Sequence, residues 1–162
     1  EIKMPVNVLF VCLGNICRSP TAEGVFRKLV NEAGLSEQIH IDSAGTASWH
    51  QGKMPDARTI LAAKGRNIDL SVLRARAVLA KDFHEFDYIL AMDESNLEYL
   101  QSLKPQDYAG HLGLFLAFGK QTNYREVPDP YHGGQAGFEL VLDLVEDAAA
   151  GLLETIQKNK LR

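Results

Sequence analysis

Residues 12–19 read Cys-Leu-Gly-Asn-Ile-Cys-Arg-Ser. A thiol and a guanidinium here enclose a short run of backbone amides. Successive N–H groups in a tight loop converge on a concave anion site, and a helix starting just beyond adds its positive end. Gly14 and Asn15 are the residue types most at ease in left-handed backbone, which such a loop needs. Arg18 brings a planar fork able to grip two oxygens of a tetrahedral oxyanion. The same positive field favours thiolate over thiol, which would make Cys12 a nucleophile aimed at the phosphorus of a bound phosphate ester. A Cys-x5-Arg spacing is common by itself, and a cysteine at a strand end is often a small buried apolar residue. The apolar run before it, Gly-Asn within and Ser-Pro after make chemistry the better reading.

Other loop chemistries find no support. There is no Gly-x-x-x-x-Gly-Lys-Ser/Thr and no Gly-x-Gly-x-x-Gly, so nucleotide binding is not indicated. Cys17 has the wrong spacing for a Cys-x-x-Cys redox pair, and a packed small side chain is an equal reading for it. His40, His50, His84, His111 and His132 are scattered without zinc-ligand spacing, so no metal site is expected. Asp129 stands out among the acidic residues because Pro128 and Pro130 restrict its backbone, although Asp beside Pro is also an ordinary turn signal. Trp49 is the only tryptophan and sits in a segment without periodicity.

The elements that must position these groups alternate between strand and helix. Val6–Cys12 is apolar apart from Asn7 and reads as a buried strand. Ser19 reads as a helix N-cap with Pro20 at the first helical position, and Gly34 as the stop. Residues 39–43 form a second strand, 45–54 a surface loop, and 55–64 a helix closed by Gly65. A strand over 86–92, a helix over 93–103 and a weaker strand over 112–118 follow. Residues 119–137 are rich in Gly, Pro, Asn and Asp and read as loop. The last helix spans 138–160, with Phe138, Val141, Leu142, Val145, Ala149, Leu152 and Ile156 on one stripe. The expected fold is α/β: a single-domain four-stranded parallel sheet with helices on both faces and an anion-binding loop after strand 1.

Composition agrees with that frame. The chain has 162 residues, 46% hydrophobic and 23% charged, enough for one domain that buries about 70% of its unfolded surface. Residues 1–3 ahead of Met4 read as an expression remnant, leaving 4–162 as the domain. Net charge is −4, against general binding to nucleic acid or an anionic membrane. The charge is uneven: residues 1–81 carry +4 and residues 82–162 carry −8. That is either a bipolar solvated surface or an anion site in the first half with an acid or docking face in the second. Two cysteines, with no secretory leader or long apolar run, suggest a cytoplasmic protein with reduced thiols.

Residues 8–22, Val-Leu-Phe-Val-Cys-Leu-Gly-Asn-Ile-Cys-Arg-Ser-Pro-Thr-Ala, closely resemble the signature of low-molecular-weight protein tyrosine phosphatases. The resemblance continues in Ile-Asp-Ser-Ala-Gly-Thr at 41–46, Phe-Asp-Tyr-Ile-Leu at 86–90, Met-Asp-Glu-Ser-Asn at 92–96 and Val-Pro-Asp-Pro-Tyr at 127–131. It implies hydrolysis of phosphotyrosine in proteins, or of small aryl phosphates, without cofactor or metal. Inorganic phosphate and other oxyanions would inhibit. Cys12 would be the nucleophile, Arg18 the oxyanion holder and Asp129 the general acid. Leu13, Gly14, Asn15, Ile16 and Cys17 would form the phosphate loop. Ser19 would support the sulfur as it leaves, and Asn15 would brace the loop together with Ser43.

The same resemblance implies a reversible Cys12–Cys17 bridge under oxidation. It also puts Leu13, Trp49, His50 and Tyr131 on the cleft walls, with His132 at the edge. Ile16 stands where related protein-arginine phosphatases typically carry threonine, which favours the tyrosine branch. Two departures are visible. Leu73 replaces a histidine that often completes the Asn–Ser network, so an altered or weakened brace is expected. His132 replaces a second tyrosine, so regulation there does not carry over. An arsenate reductase would need further cysteines beyond Cys17, and none occurs. A phosphate binder without turnover would need neither Cys12 nor Asp129.

Overall fold

Val8, Leu9, Phe10 and Val11 are all fully buried, because the strand they form has helices on both sides. The computed structural model describes residues 5–131 and 133–159. In chain order it contains β1 (Val6–Cys12), α1 (Arg18–Glu32), β2 (Ile39–Gly45), α2 (Ala57–Lys64), α3 (Asp82–Glu85) and β3 (Tyr88–Ala91). Next come α4 (Glu94–Leu103), β4 (His111–Leu114), a 3-10 turn (Phe115–Phe118) and α5 (Gln135–Asn159). The sheet order is β2-β1-β3-β4 with every pair parallel. The chain leaves β1 towards β2 on one side and later returns to β3 on the other. The carboxyl end of β1, where Cys12 lies, is therefore the switch point at which such sheets open a crevice.

Strand alternation divides the core in two. Val8, Phe10 and Cys12 face α1 and α5, whereas Leu9 and Val11 face Phe83 and Leu100 on the opposite side. Phe10 holds the first layer, with its ring edge-on to Phe26 at 5.7 Å and to Phe115 at 4.9 Å. The whole predicted stripe of α5 is buried. No helix among the described residues is long and apolar enough to cross a membrane.

Several boundaries differ from expectation, each for a local reason. Helix α1 starts at Arg18 behind Cys17, so Ser19 is its second residue and not its cap. The Ser19 hydroxyl turns to the Cys12 sulfur instead. β2 runs on to Gly45, paired with Cys12. The strand expected over 112–118 ends at Leu114, because Phe115 and Leu116 turn inward as the 3-10 segment. β3 keeps only Tyr88–Ala91 of the expected 86–92. α2 begins at Ala57 because the Asp56 carboxylate caps it. α4 begins at Glu94 because Asp93 closes a capping box with Asn96. α5 starts at Gln135, inside the segment expected as loop, and its first turn is closed by the Gly137 N–H donating to the Gly134 carbonyl at 3.0 Å. Its expected last residue, 160, lies outside the described residues, as do 1–4. The short helix α3 had no recognisable periodicity.

Candidate active site

The loop after β1 curls so that its own amides and the next helix face the sulfur of Cys12. Asn15 makes the turn with φ 57°, the left-handed geometry that asparagine tolerates. Its N–H then donates to Cys12 Sγ at 3.2 Å. Gly14 does not adopt a left-handed φ. Its use is spatial: a Cβ there would stand 3.0 Å from Cδ2 of His50, whose ring lies against the loop. Gly45 matters more and was not singled out from the sequence. A Cβ on it would meet the Leu13 carbonyl at 2.7 Å and the Asn15 nitrogen at 3.2 Å, so β2 passes under the loop only without a side chain. Thr46 and Ala47 donate to the Cys12 and Leu13 carbonyls at 2.9 Å each, which ties the loop down.

Behind the sulfur lies a buried polar network. Ser19 Oγ is 3.0 Å from Cys12 Sγ, Asn15 Nδ2 donates to Ser19 Oγ at 2.8 Å and to Ser43 Oγ at 3.0 Å, and Ser43 donates to Glu23 Oε1 at 2.6 Å. Leu73 is half-buried and packs on the core. The Asn15–Ser43 brace is closed by Glu23, which takes the Ser43 hydroxyl proton, and by the Arg76 backbone N–H, which donates to Asn15 Oδ1 at 3.0 Å.

Arg18 is buried, with its guanidinium anchored by Nη1 donating to Asp93 Oδ2 at 2.7 Å and to the Val127 carbonyl at 3.1 Å. Burial opposes its charge, but the Cys12 sulfur, the Asp93 carboxylate and Asp129 together outweigh that and raise its pKa above the ordinary arginine value. Asp93 was missed from the sequence. The pattern Asp-x-x-Asn signals its cap role, but nothing local tells of Arg18. Its Oδ1 takes the Asn96 N–H at 2.8 Å while Oδ2 takes Arg18, so one carboxylate starts α4 and aims the guanidinium.

Asp129 stands across the cleft, its side chain about half exposed and Oδ2 4.0 Å from Arg18 Nη2. Its loop is pinned on both sides. Val127 N–H donates to the Met92 carbonyl at 2.8 Å, and Arg58 Nη2 donates to the Tyr131 carbonyl at 2.8 Å. The Asp129 carboxylate also accepts the Tyr131 N–H at 3.0 Å.

Cys12, Leu13, Gly14, Ile16, Cys17, Arg18, Trp49, His50, Asp129 and Tyr131 line one cleft of about 270 Å³. Trp49 is 71% exposed and Tyr131 41%, two aromatic faces at the mouth of the cleft. Asn15, Ser19 and Ser43 sit behind the floor, and His132 lies outside the described residues. Both cysteines are free and buried. Burial pushes the Cys17 thiol up to about 12, and the Asp56 carboxylate adds to it.

The family described as low molecular weight phosphotyrosine protein phosphatase matches residues 7–162. The chain belongs to this family. Among its phosphatase relatives, a low molecular weight phosphotyrosine protein phosphatase of Schizosaccharomyces pombe is 48% identical over 82% of this chain and 85% of its own. The low molecular weight protein-tyrosine-phosphatase YfkJ of Bacillus subtilis is 41% identical over 96% of this chain and 98% of its own. A crystal structure of a protein tyrosine phosphatase from Entamoeba histolytica with Hepes in its active site superposes with a TM-score of 0.92. It has 41% identity and covers 96% of this chain and 99% of that one. This phosphatase fold thus brings the strand, loop and helix of the signature to the switch point, with the Asp129 loop arriving from the far end of the chain.

Proposed function

We propose that the chain hydrolyses phosphotyrosine and related aryl phosphate monoesters in two steps through a phosphorylated Cys12. The observation that carries this reading is the convergence on one sulfur of a loop amide, the Ser19 hydroxyl and the helix that begins at Arg18, with Asp129 across the cleft. The phosphoryl group sits in the loop, with its oxygens on the backbone amides and the Arg18 fork. Cys12 attacks phosphorus as the P–O bond to the ring breaks, and Asp129 gives its proton to the departing oxygen. Asp129, now a carboxylate, takes a proton from water. That water attacks phosphorus, and the sulfur leaves as thiolate while accepting from Ser19. Arg18 and the amides supply the positive field, so no metal is required.

Trp49, Tyr131 and Leu13 suit a flat aromatic ring, with His50 and, by its place in the sequence, His132 at the rim. Ile16 supports tyrosine over arginine phosphate. Phosphate and other oxyanions compete for the loop. The working unit is residues 4–162, acting on phosphoproteins in the cytoplasm and not on nucleic acid or membranes, in keeping with the net charge of −4. There the free Cys12 and Cys17 thiols form a reversible bridge when oxidised.

The test is hydrolysis of p-nitrophenyl phosphate in chelator. Cys12→Ser is expected to be inert yet still bind phosphate, and Asp129→Ala to lose about 10²- to 10⁴-fold. Turnover surviving in Cys12→Ser, or lost by the parent protein on chelation, sinks the reading.

A further inference from the structure

The buried chain behind the nucleophile has a direction: the Arg76 N–H fixes it at Asn15, and Glu23 takes the proton at its Ser43 end. A backbone N–H can be met only by an acceptor, so the Arg76 N–H fixes Asn15 with its oxygen away from the hydroxyls. Asn15 Nδ2 must then donate to both Ser19 and Ser43. Ser19, receiving that proton, has its own hydrogen free for Cys12 Sγ at 3.0 Å, since the competing Ala44 carbonyl is at 3.4 Å. Ser43 likewise has one hydrogen left, and Glu23 Oε1 takes it at 2.6 Å. Glu23 is 4% exposed, and its other oxygen accepts from Arg27 Nη2 at 2.8 Å. Arg27 is held in turn by the Ile41 carbonyl at 2.9 Å.

We propose that Glu23, paired with Arg27, is a positioning residue: by accepting the Ser43 proton it closes the hydrogen-bond chain Ser43–Asn15–Ser19 and holds it on the Cys12 sulfur. The proposal rests on Cys12 being the nucleophile. A neutral Glu23 would donate to Ser43 and leave the Ser43 hydrogen without an acceptor in the chain. The charged groups facing Glu23 are Arg27 on its own helix and Asp42 on β2, which Arg76 neutralises at 3.1 Å. Burial pushes the Glu23 carboxyl above the usual glutamate range, against the pull of Ser43 and Arg27. Arg27 therefore acts beside the Ser43 hydrogen bond to keep Glu23 an acceptor as the pH falls.

The experiment is the pH dependence of kcat and KM for p-nitrophenyl phosphate in Arg27→Met, Arg27→Lys, Glu23→Gln and the Glu23→Gln/Arg27→Met pair. Arg27→Met is expected to move the acid limb of kcat upward by about half a unit to one unit, with KM little changed. Arg27→Lys restores the parent profile. Glu23→Gln lowers kcat at every pH and abolishes the response to Arg27→Met. A parent-like profile in Arg27→Met, or a shift that persists in the double variant, overturns the proposal. Neither result touches the nucleophile, whose own failure would show as turnover in Cys12→Ser.

Discussion

Asp93 Oδ2 lies 2.7 Å from Arg18 Nη1, so the guanidinium that faces the cleft is aimed by the residue that caps α4. The helix start and the oxyanion holder share one carboxylate. The position of Arg18 is thereby tied to the end of β3, a buried strand, rather than to a surface loop.

That sharing separates two substitutions. Asp93→Asn can keep the cap through its oxygen but presents a donor or a neutral group to Arg18. It is expected to melt close to the parent and lose about 10- to 100-fold in kcat, an effect the size of one lost electrostatic contact in the transition state. Asp93→Ala is expected to lose the same activity and about 1 kcal/mol of stability besides. Thermal melts and kcat on both variants check this. Full activity in Asp93→Asn would mean that Arg18 finds its place without the pair.

Gly45→Ala puts a methyl group 2.7 Å from the Leu13 carbonyl oxygen, which belongs to backbone and not to a yielding side chain. The loop must lift off β2. Expected are a loss of about 1–3 kcal/mol and more than a tenfold weakening of phosphate binding, measured by calorimetry. Unchanged phosphate affinity would show that the loop tolerates the shift.

With its thiol pushed up to about 12 by burial, Cys17 is expected to stay unreactive at neutral pH. Iodoacetamide followed by mass spectrometry should therefore label Cys12 alone, and Cys12→Ser should take up almost nothing. Rapid labelling of Cys17 in that variant would contradict its burial.

The raised Glu23 carboxyl has a consequence for stability whose sign is fixed by linkage. A carboxyl raised on folding binds its proton more tightly in the native state than in the unfolded chain. Its contribution is complete below the unfolded value of about 4.3 and is lost as pH rises through the raised native value. Glu23→Gln carries no such loss, so its melting temperature relative to the parent should rise between mildly acid and neutral pH. A difference that stays flat with pH would remove the burial argument. The same variant is the one expected to lose activity, so the ionised Glu23 serves catalysis at the expense of the fold.

Local pattern was legible where one element decides the matter. The apolar run of β1 and the stripe of α5 were read correctly because burial on a strand or helix leaves a periodic trace. Local pattern made Ser19 a cap, because Ser-Pro before a helical pattern usually is one, and only the family resemblance pointed its hydroxyl to the sulfur. Its actual partner, Cys12, is a contact made by the curl of the loop. Leu73 pointed to an altered or weakened brace, because the sequence shows which residue is missing and not which other groups close the network. Glu23 closes it through Ser43. The strand expected over 112–118 ended early because apolar residues alone do not tell a buried strand from a buried turn.

The sequence by itself determined the parallel α/β order and a loop of amides, thiol and guanidinium after the first strand, because these are set by residues close along the chain. Only the tertiary structure decided which carboxylates serve that loop. Asp93 and Asp129 lie 75 and 111 positions beyond Arg18 by residue number, and strand pairing brings them to it. Glu23 is near in the chain, yet its link to the sulfur passes through Ser43 on another strand. Charge and hydrogen-bond direction act over a few ångströms, and which groups fall within that reach is settled by packing.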